Sequence, residues 1–219
     1  IHNYVLSYHI SHYLKSTFYK YLQFPKNTFI LIQYLVLLFI ETITLLKGEL
    51  MIALEIKITK NIMNALLLSE QFDSFLVEEA IITTYNTFHI DGHLVKDFYT
   101  NEELELLESE EKSTTFSCWQ DIRPFCLQLI KGKKTPVSFK VILHAAPLLI
   151  EKIAANPECG VAANLIRSLV LNIRYDNGKV TCITGSAFTT FVMDKSVDKL
   201  WDAYMRQLLS DFGLDFEEI

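Results

Sequence analysis

Two runs of alternating residues flank an Asn-Gly pair in the stretch LVLNIRYDNGKVTCITG. Asn-Gly is a favoured pair for two-residue hairpin turns in which both central residues need a positive φ. With Asn177-Gly178 as the turn, Asn172, Arg174 and Thr181 lie largely on one face of the hairpin. The opposite, mainly apolar face carries Leu171, Ile173, Tyr175, Val180, Cys182 and Thr184. The sequence therefore predicts a long antiparallel strand pair that can cover a core.

Two further hairpins are predicted upstream. In AIITTYNTFHIDGHLVKDFYT, β-branched and aromatic residues stand on both sides of Asp91-Gly92, which predicts a turn at this pair. In IRPFCLQLIKGKKTPVSFKVILH, Pro124 favours an extended Arg123, and KGKKTP separates two β-rich runs. A helix from Phe125 to Ile130 is the alternative for the first of these runs, because periodicity does not decide for so short an apolar segment.

Helix signals fall between the strands. MIALEIKI predicts a first strand, and Thr59 is a candidate N-cap for the helix that follows. Thr100 and Glu103 have the spacing of a capping box and open the acidic stretch NEELELLESEEK. Pro147 suits the first turn of a short helix.

A long closing helix is predicted from Ser196, its candidate N-cap, to a stop at Gly213. Its apolar stripe comprises Val197, Leu200, Trp201, Tyr204, Leu208 and Phe212. The element order predicts an α+β fold with an antiparallel sheet of about three hairpins packed on helices. The order resembles that of helix-grip folds, in which a curved sheet wraps around the last helix and often encloses a ligand cavity.

The first fifty residues differ from the rest in composition, because they contain ten Tyr or Phe and no Ala, Asp, Arg, Cys or Met. Residues 1–50 are interpreted as upstream translation outside the domain, since KGEL just before Met51 can be encoded by a purine-rich ribosome-binding sequence. The alternative is a membrane anchor formed by residues 29–46, from Phe29 to Leu46. Residues 51–219 are expected to form a single globular domain.

Charge and cysteine usage limit the function of residues 51–219. The first fifty residues hold four of the 20 Lys and Arg and two of the 26 Asp and Glu, so residues 51–219 carry a formal charge of −8. Such an acidic domain disfavours nucleic acid as a partner. The four cysteines include no C-x-x-C pair, which indicates a reduced, cytoplasmic protein without zinc or disulfides.

Histidine spacing gives a weak metal signal. His89 and His93 are four residues apart, but a turn at Asp91-Gly92 places them on opposite faces of the hairpin. We therefore expect no metal site, no cofactor and no catalytic residues.

A ligand-binding site is predicted at Trp119, Asp121 and Arg123 in CWQDIRP. In an extended strand these three side chains share one face, which joins a stacking surface, an acid and a planar cation. The alternative is that Asp121 and Arg123 pair with each other while Trp119 fills the edge of the core.

A basic patch is a second candidate. Lys131, Lys133 and Lys134 lie in the KGKK segment, and Arg174 and Lys179 lie near the Asn-Gly turn. If these five residues cluster, they support a nucleic-acid or ribonucleoprotein accessory domain.

Several blocks resemble an uncharacterised family of low-GC Gram-positive bacteria. These blocks are FLVEEAIITTYNTFHIDGHLVKDFYT, WQDIRPFCLQLIKGKKTPVSFKVIL, LNIRYDNGKVTCITG and FVMDKSVDKLWD. The resemblance spans Met51 to the C-terminus and implies no activity, because the family is a domain of unknown function. The residues favour a cytoplasmic binding domain for a small molecule or a protein partner, with membrane attachment expected if residues 29–46 form an anchor.

Overall fold

A computed structural model describes residues 51–109 and 115–219, and the predictions for residues 1–50 lie outside these ranges. The strands are β1 (Ala53–Ile56), β2 (Leu76–Thr83), β3 (Thr87–Asp91), β4 (Ser117–Cys118), β5 (Ser138–His144), β6 (Ile166–Asp176), β7 (Lys179–Phe188) and β8 (Phe216–Glu218). The α-helices are α1 (Thr59–Leu67), α2 (Asn101–Ser109), α3 (Trp119–Ile130), α4 (Pro147–Ala154) and α5 (Ser196–Asp211). Lys96–Phe98 and Ala163–Leu165 form short 3-10 helices.

The strands form one antiparallel sheet in the order β3-β2-β5-β6-β7-β1-β8, and β4 pairs with β2 beyond the end of β3. The α+β class, the antiparallel sheet and the long closing helix are confirmed. The sequence did not predict β8, which follows the closing helix and pairs with β1. Among the described residues, no helix is long and apolar enough to cross a membrane.

The Asn-Gly hairpin is confirmed in position and register. Asn177 and Gly178 have φ values of 50° and 85°, which are the positive angles that this turn requires. Leu171 pairs with Thr184 and Ile173 with Cys182, as predicted.

The hairpin predicted at Asp91-Gly92 is wrong, because the turn between β2 and β3 lies at residues 84–86. Gly92 instead follows the end of β3, where β3 stops pairing with β2. Beyond this point β4 pairs with β2 in place of β3. The amide of Gly92 donates to Glu78 O at 2.9 Å, and a Cβ at this position would lie 1.9 Å from Val77 O. A side chain has no room there, so glycine is required by close backbone approach.

The hairpin predicted around KGKK is also wrong, because its first run is helix α3 and Arg123 is helical despite the following proline. Trp119 and Cys126 are buried on one side of this helix, and the indole of Trp119 donates to Leu66 O at 2.9 Å. Burial of this face outweighs the local preference of a residue before proline. The helix alternative for Phe125 to Ile130 is correct.

Two of the three predicted helix caps are wrong. Thr59 is the first residue of α1, and its hydroxyl donates to Gly178 O at 2.8 Å. Ser196 is the first residue of α5, and its hydroxyl accepts from the amide of Gly160 at 2.9 Å. The capping box is confirmed, since the Thr100 amide donates to Glu103 Oε2 and the Glu103 amide to Thr100 Oγ1.

Helices α1, α3, α4 and α5 bury their apolar residues in one core cluster together with alternate residues of the strands. They therefore lie on one face of the sheet, which we call the covered face. Helix α5 packs Trp201, Met205 and Leu209 into this core, and all three side chains are almost fully buried. Gly213, with a φ of 71°, lies just beyond α5 as predicted.

Candidate functional site on the open face of the sheet

The remaining residues of each strand point to the opposite face, which we call the open face. At its centre Ile142, Asn172 and Ile183 lie side by side on β5, β6 and β7, because Asn172 pairs with both isoleucines. Val170 lies two residues along β6 on the same side. All four side chains are partly exposed, so an aliphatic surface surrounds one amide at the middle of the sheet.

Asn172 carries an unusual oxygen. Its Oδ1 is shielded from solvent, yet it has no hydrogen-bond partner among the described residues. A shielded carbonyl oxygen without a donor costs free energy, and most such groups in native proteins are paired. A molecule that binds this face with an N–H or O–H group over Asn172 would remove that cost.

Ion pairs border the aliphatic centre. Lys140 Nζ contacts Glu79 Oε2 at 2.8 Å, Lys179 Nζ contacts Glu55 Oε1 at 2.8 Å, and Arg174 Nη2 lies 3.6 Å from Asp176 Oδ2. The hydrogen bond from Lys140 holds the pKa of Glu79 below its usual value, and the bond to Glu55 raises the pKa of Lys179. Opposite charges therefore lie together along the border.

The three histidines of residues 51–219 all lie at the β2–β3–β5 end of the open face. His144 is stacked on Phe116 with ring centres 4.7 Å apart, and His93 contacts the same Phe116 ring at 4.7 Å. His89 lies on β3, beside Glu79. The expectation that His89 and His93 lie on opposite faces is wrong, because Asp91-Gly92 is not a turn.

Each of these histidines contacts its own carboxylate. The distances are 2.5 Å from His144 Nε2 to Glu78 Oε2, 3.0 Å from His89 Nε2 to Glu79 Oε1, and 2.6 Å from His93 Nδ1 to Asp91 Oδ1. Hydrogen bonds from the amide and ring of His93 lower the pKa of Asp91. Among the described residues, no group of three or more His, Cys, Asp or Glu could hold a metal ion. The cluster can instead offer hydrogen bonds to a bound surface.

The predicted ligand-binding residues do not converge. Trp119 is buried in the core, while Asp121 is exposed on α3. Arg123 pairs with Asp73 rather than Asp121, with Nη2 2.8 Å from Asp73 Oδ2. The face predicted to be shared by all three residues is not formed, because this segment is helical rather than extended. Trp119 and Arg123 lie one turn apart on the same side of α3, whereas Asp121 points to another side.

The predicted basic patch is divided between a loop and the sheet. Lys131, Lys133 and Lys134 are exposed in the loop before β5, whereas Arg174 and Lys179 belong to the ion-paired border of the open face. Two of the five cations therefore face carboxylates already.

Buried polar residues also join α5 to β7. Asp202 accepts a hydrogen bond from Thr184 Oγ1 at 2.5 Å, and Asp198 accepts one from Ser186. Burial raises the pKa of Asp202. Cys126 and Cys182 are buried, and desolvation raises the pKa of both thiols to about 12, which makes them poor nucleophiles.

Sequence reasoning missed most of this site. The alternation along β6 and β7 did place Asn172, Arg174 and Thr181 on the second face of the hairpin. No signal in the sequence indicated that β5 lies between β2 and β6. The pairing of β5 with β2 brings His144 beside Glu78 and Lys140 beside Glu79.

Comparison with known proteins supports the resemblance found in the sequence. No curated protein and no solved structure matches the chain. A family profile matches residues 65–217, the range that contains all four resembling blocks. The chain therefore belongs to DUF5721, a family of unknown function.

Proposed function

We propose that this protein is a non-catalytic binding domain of the cytoplasm that takes a protein partner on the open face of its sheet. The observation that carries the proposal is the aliphatic centre formed by Ile142, Val170 and Ile183 around Asn172. A sheet face that is left to solvent normally carries polar residues, so apolar residues at its centre need another reason. Contact with a partner is such a reason.

The border of the face supports the same function. Protein interfaces combine an apolar centre with a polar rim, and the ion pairs Lys140–Glu79 and Lys179–Glu55 occupy the rim positions here. A partner that supplies a hydrogen-bond donor to Asn172 Oδ1 would satisfy the shielded oxygen at the centre.

A protein fits this face better than a small molecule does. Small molecules usually bind in concave sites, whereas the open face is the broad surface of a sheet. On the covered face, where helix-grip folds often hold a ligand, Trp201, Met205 and Leu209 fill the contact between α5 and the sheet.

Nucleic acid is less favoured than protein. Arg174 and Lys179 already contact Asp176 and Glu55, and the excess of negative charge opposes a phosphate backbone. None of the four cysteines, all of which lie in the described residues, forms a disulfide, which agrees with a reducing compartment such as the cytoplasm.

Site-specific photo-crosslinking in the cells that make the protein tests this function. A benzophenone amino acid at position 183 should yield a discrete crosslinked protein that mass spectrometry identifies. The same probe at Lys152, an exposed position of α4, is the matched control and should not yield that product. Equal products at both positions, or none at position 183, would contradict the proposal.

A further inference from the structure

We infer that residues 95–109 form a second docking surface, which binds a basic, partly apolar segment of another protein. We call these residues the acidic arm. They comprise the 3-10 helix Lys96–Phe98 and α2, and they lie between β3 and β4 at the edge of the sheet. This inference is independent of the function proposed for the open face.

The base of the acidic arm is fixed to the sheet. His93 and Phe116 form an antiparallel bridge, and the amide of Leu94 donates to Thr115 O at 3.0 Å. The close approach of Gly92 to Val77 holds the chain at the point where it turns away from β2. The residues that flank the arm are therefore tied to each other at the edge of the sheet.

Large apolar side chains of the arm are exposed to solvent. The exposed fractions are 68% for Val95, 83% for Phe98 and 59% for Leu106. Leu104 and Leu107 on α2 are partly buried instead, so α2 directs a different side outward. Exposed apolar residues grouped on a short segment are typical of a contact surface.

Charge decides which partner fits the arm. Residues 95–107, the part of the arm whose side chains the structure describes, contain four acidic residues and one lysine. Glu103 is engaged in the capping box, but Asp97, Glu102 and Glu105 are exposed. Asp97 precedes Phe98 in the sequence, and Glu105 precedes Leu106. A partner segment with Lys or Arg between apolar residues would match both features, whereas an acidic segment would be repelled.

A synthetic amphipathic peptide of Leu and Lys is a direct probe, measured by titration calorimetry with the full chain. We expect saturable binding that weakens as salt rises, because exposed charges are screened at high ionic strength. Phe98→Ser should weaken binding about tenfold, as loss of a central aromatic contact does in other interfaces. The Glu102→Gln, Glu105→Gln double variant should weaken binding and reduce its salt dependence, and it leaves the capping box in place.

Phe191→Ser is the matched control, because Phe191 is equally exposed but lies in the loop between β7 and α5. It should leave the affinity unchanged, and a peptide with Glu in place of Lys should not bind. Circular dichroism establishes that each variant is folded. The inference is overturned if both phenylalanine variants bind the peptide equally well, or if the arm binds phosphatidylcholine vesicles and not the peptide.

Discussion

The covered and open faces of the sheet are built from the same strands, yet different physical demands shape them. On β6, Ile173 is fully buried beneath the helices, whereas the neighbouring Asn172 and Arg174 reach the open face. The covered face is mainly apolar because folding requires its burial, and its polar residues Thr184 and Ser186 are hydrogen-bonded to carboxylates of α5. The open face carries charged residues together with aliphatic ones, which include Ile81 on β2 and the central group of Ile142, Val170 and Ile183. No described helix covers this central group. Partner binding, as proposed above, would account for this difference between the two faces.

Two isoleucines provide the sharpest test of this difference. Ile173→Ala should lower the free energy of unfolding by about 2–5 kcal/mol, since it leaves a cavity in the core. Ile183→Ala should lower it by less than about 1 kcal/mol, because water already reaches this side chain. Urea unfolding followed by fluorescence measures both values. Equal losses of stability would show that the open face is packed like the core. That result would contradict the difference described between the two faces.

Removing the Lys140–Glu79 ion pair at the border of the open face should have a smaller effect on the free energy of unfolding. The pKa of Glu79 is lowered in the folded protein from its ordinary value of 4.5. The ionised carboxylate therefore stabilises the folded protein fully at pH values above that ordinary pKa. This stabilisation should disappear as the pH falls through the lowered pKa. Glu79→Gln should thus cost about 0.5–1 kcal/mol at pH 7 and almost nothing in strong acid.

Unfolding curves at several pH values measure this contribution. Glu70→Gln, at an exposed position outside the sheet, is the control and should change stability little at any pH. A Glu79→Gln loss that is the same at pH 7 and in strong acid would mean that packing rather than charge holds this residue.

Local signals in the sequence were sufficient where the structure has a local cause. The turn at Asn177-Gly178 was predictable because both of its central residues must adopt a positive φ, which Asn and Gly tolerate. No contact with a distant residue is needed to form this turn. The capping box of Thr100 and Glu103 is local in the same sense. The alternation along β6 and β7 gave the two faces of that hairpin for the same reason.

Signals with a distant cause were misread. Gly92 stands where the backbone of β2 leaves no space for a Cβ, and that contact cannot be seen in the dipeptide Asp91-Gly92. Helix α3 forms because Trp119 and Cys126 are buried in the core, although Pro124 argues locally for an extended chain. The element order suggested the fold class without revealing the position of β5 in the sheet.

The candidate site depends on that missing information. Glu78 and His144 are far apart in the chain and meet because β2 and β5 are neighbours. The face that Trp119, Asp121 and Arg123 were predicted to share is not formed, because the prediction assumed an extended chain where the structure has helix α3. Ligand binding by these residues stays a prediction.

The most direct test of the central claim combines stability and partner binding in one variant. Replacing both Ile142 and Ile183 with Ser removes the apolar centre of the open face, while a crosslinking probe at Thr181 on the same face reports the partner. The account predicts that the double variant unfolds at nearly the urea concentration of the unsubstituted protein but no longer yields the crosslinked product. Undiminished crosslinking by the folded double variant would contradict the claim that this face binds a protein.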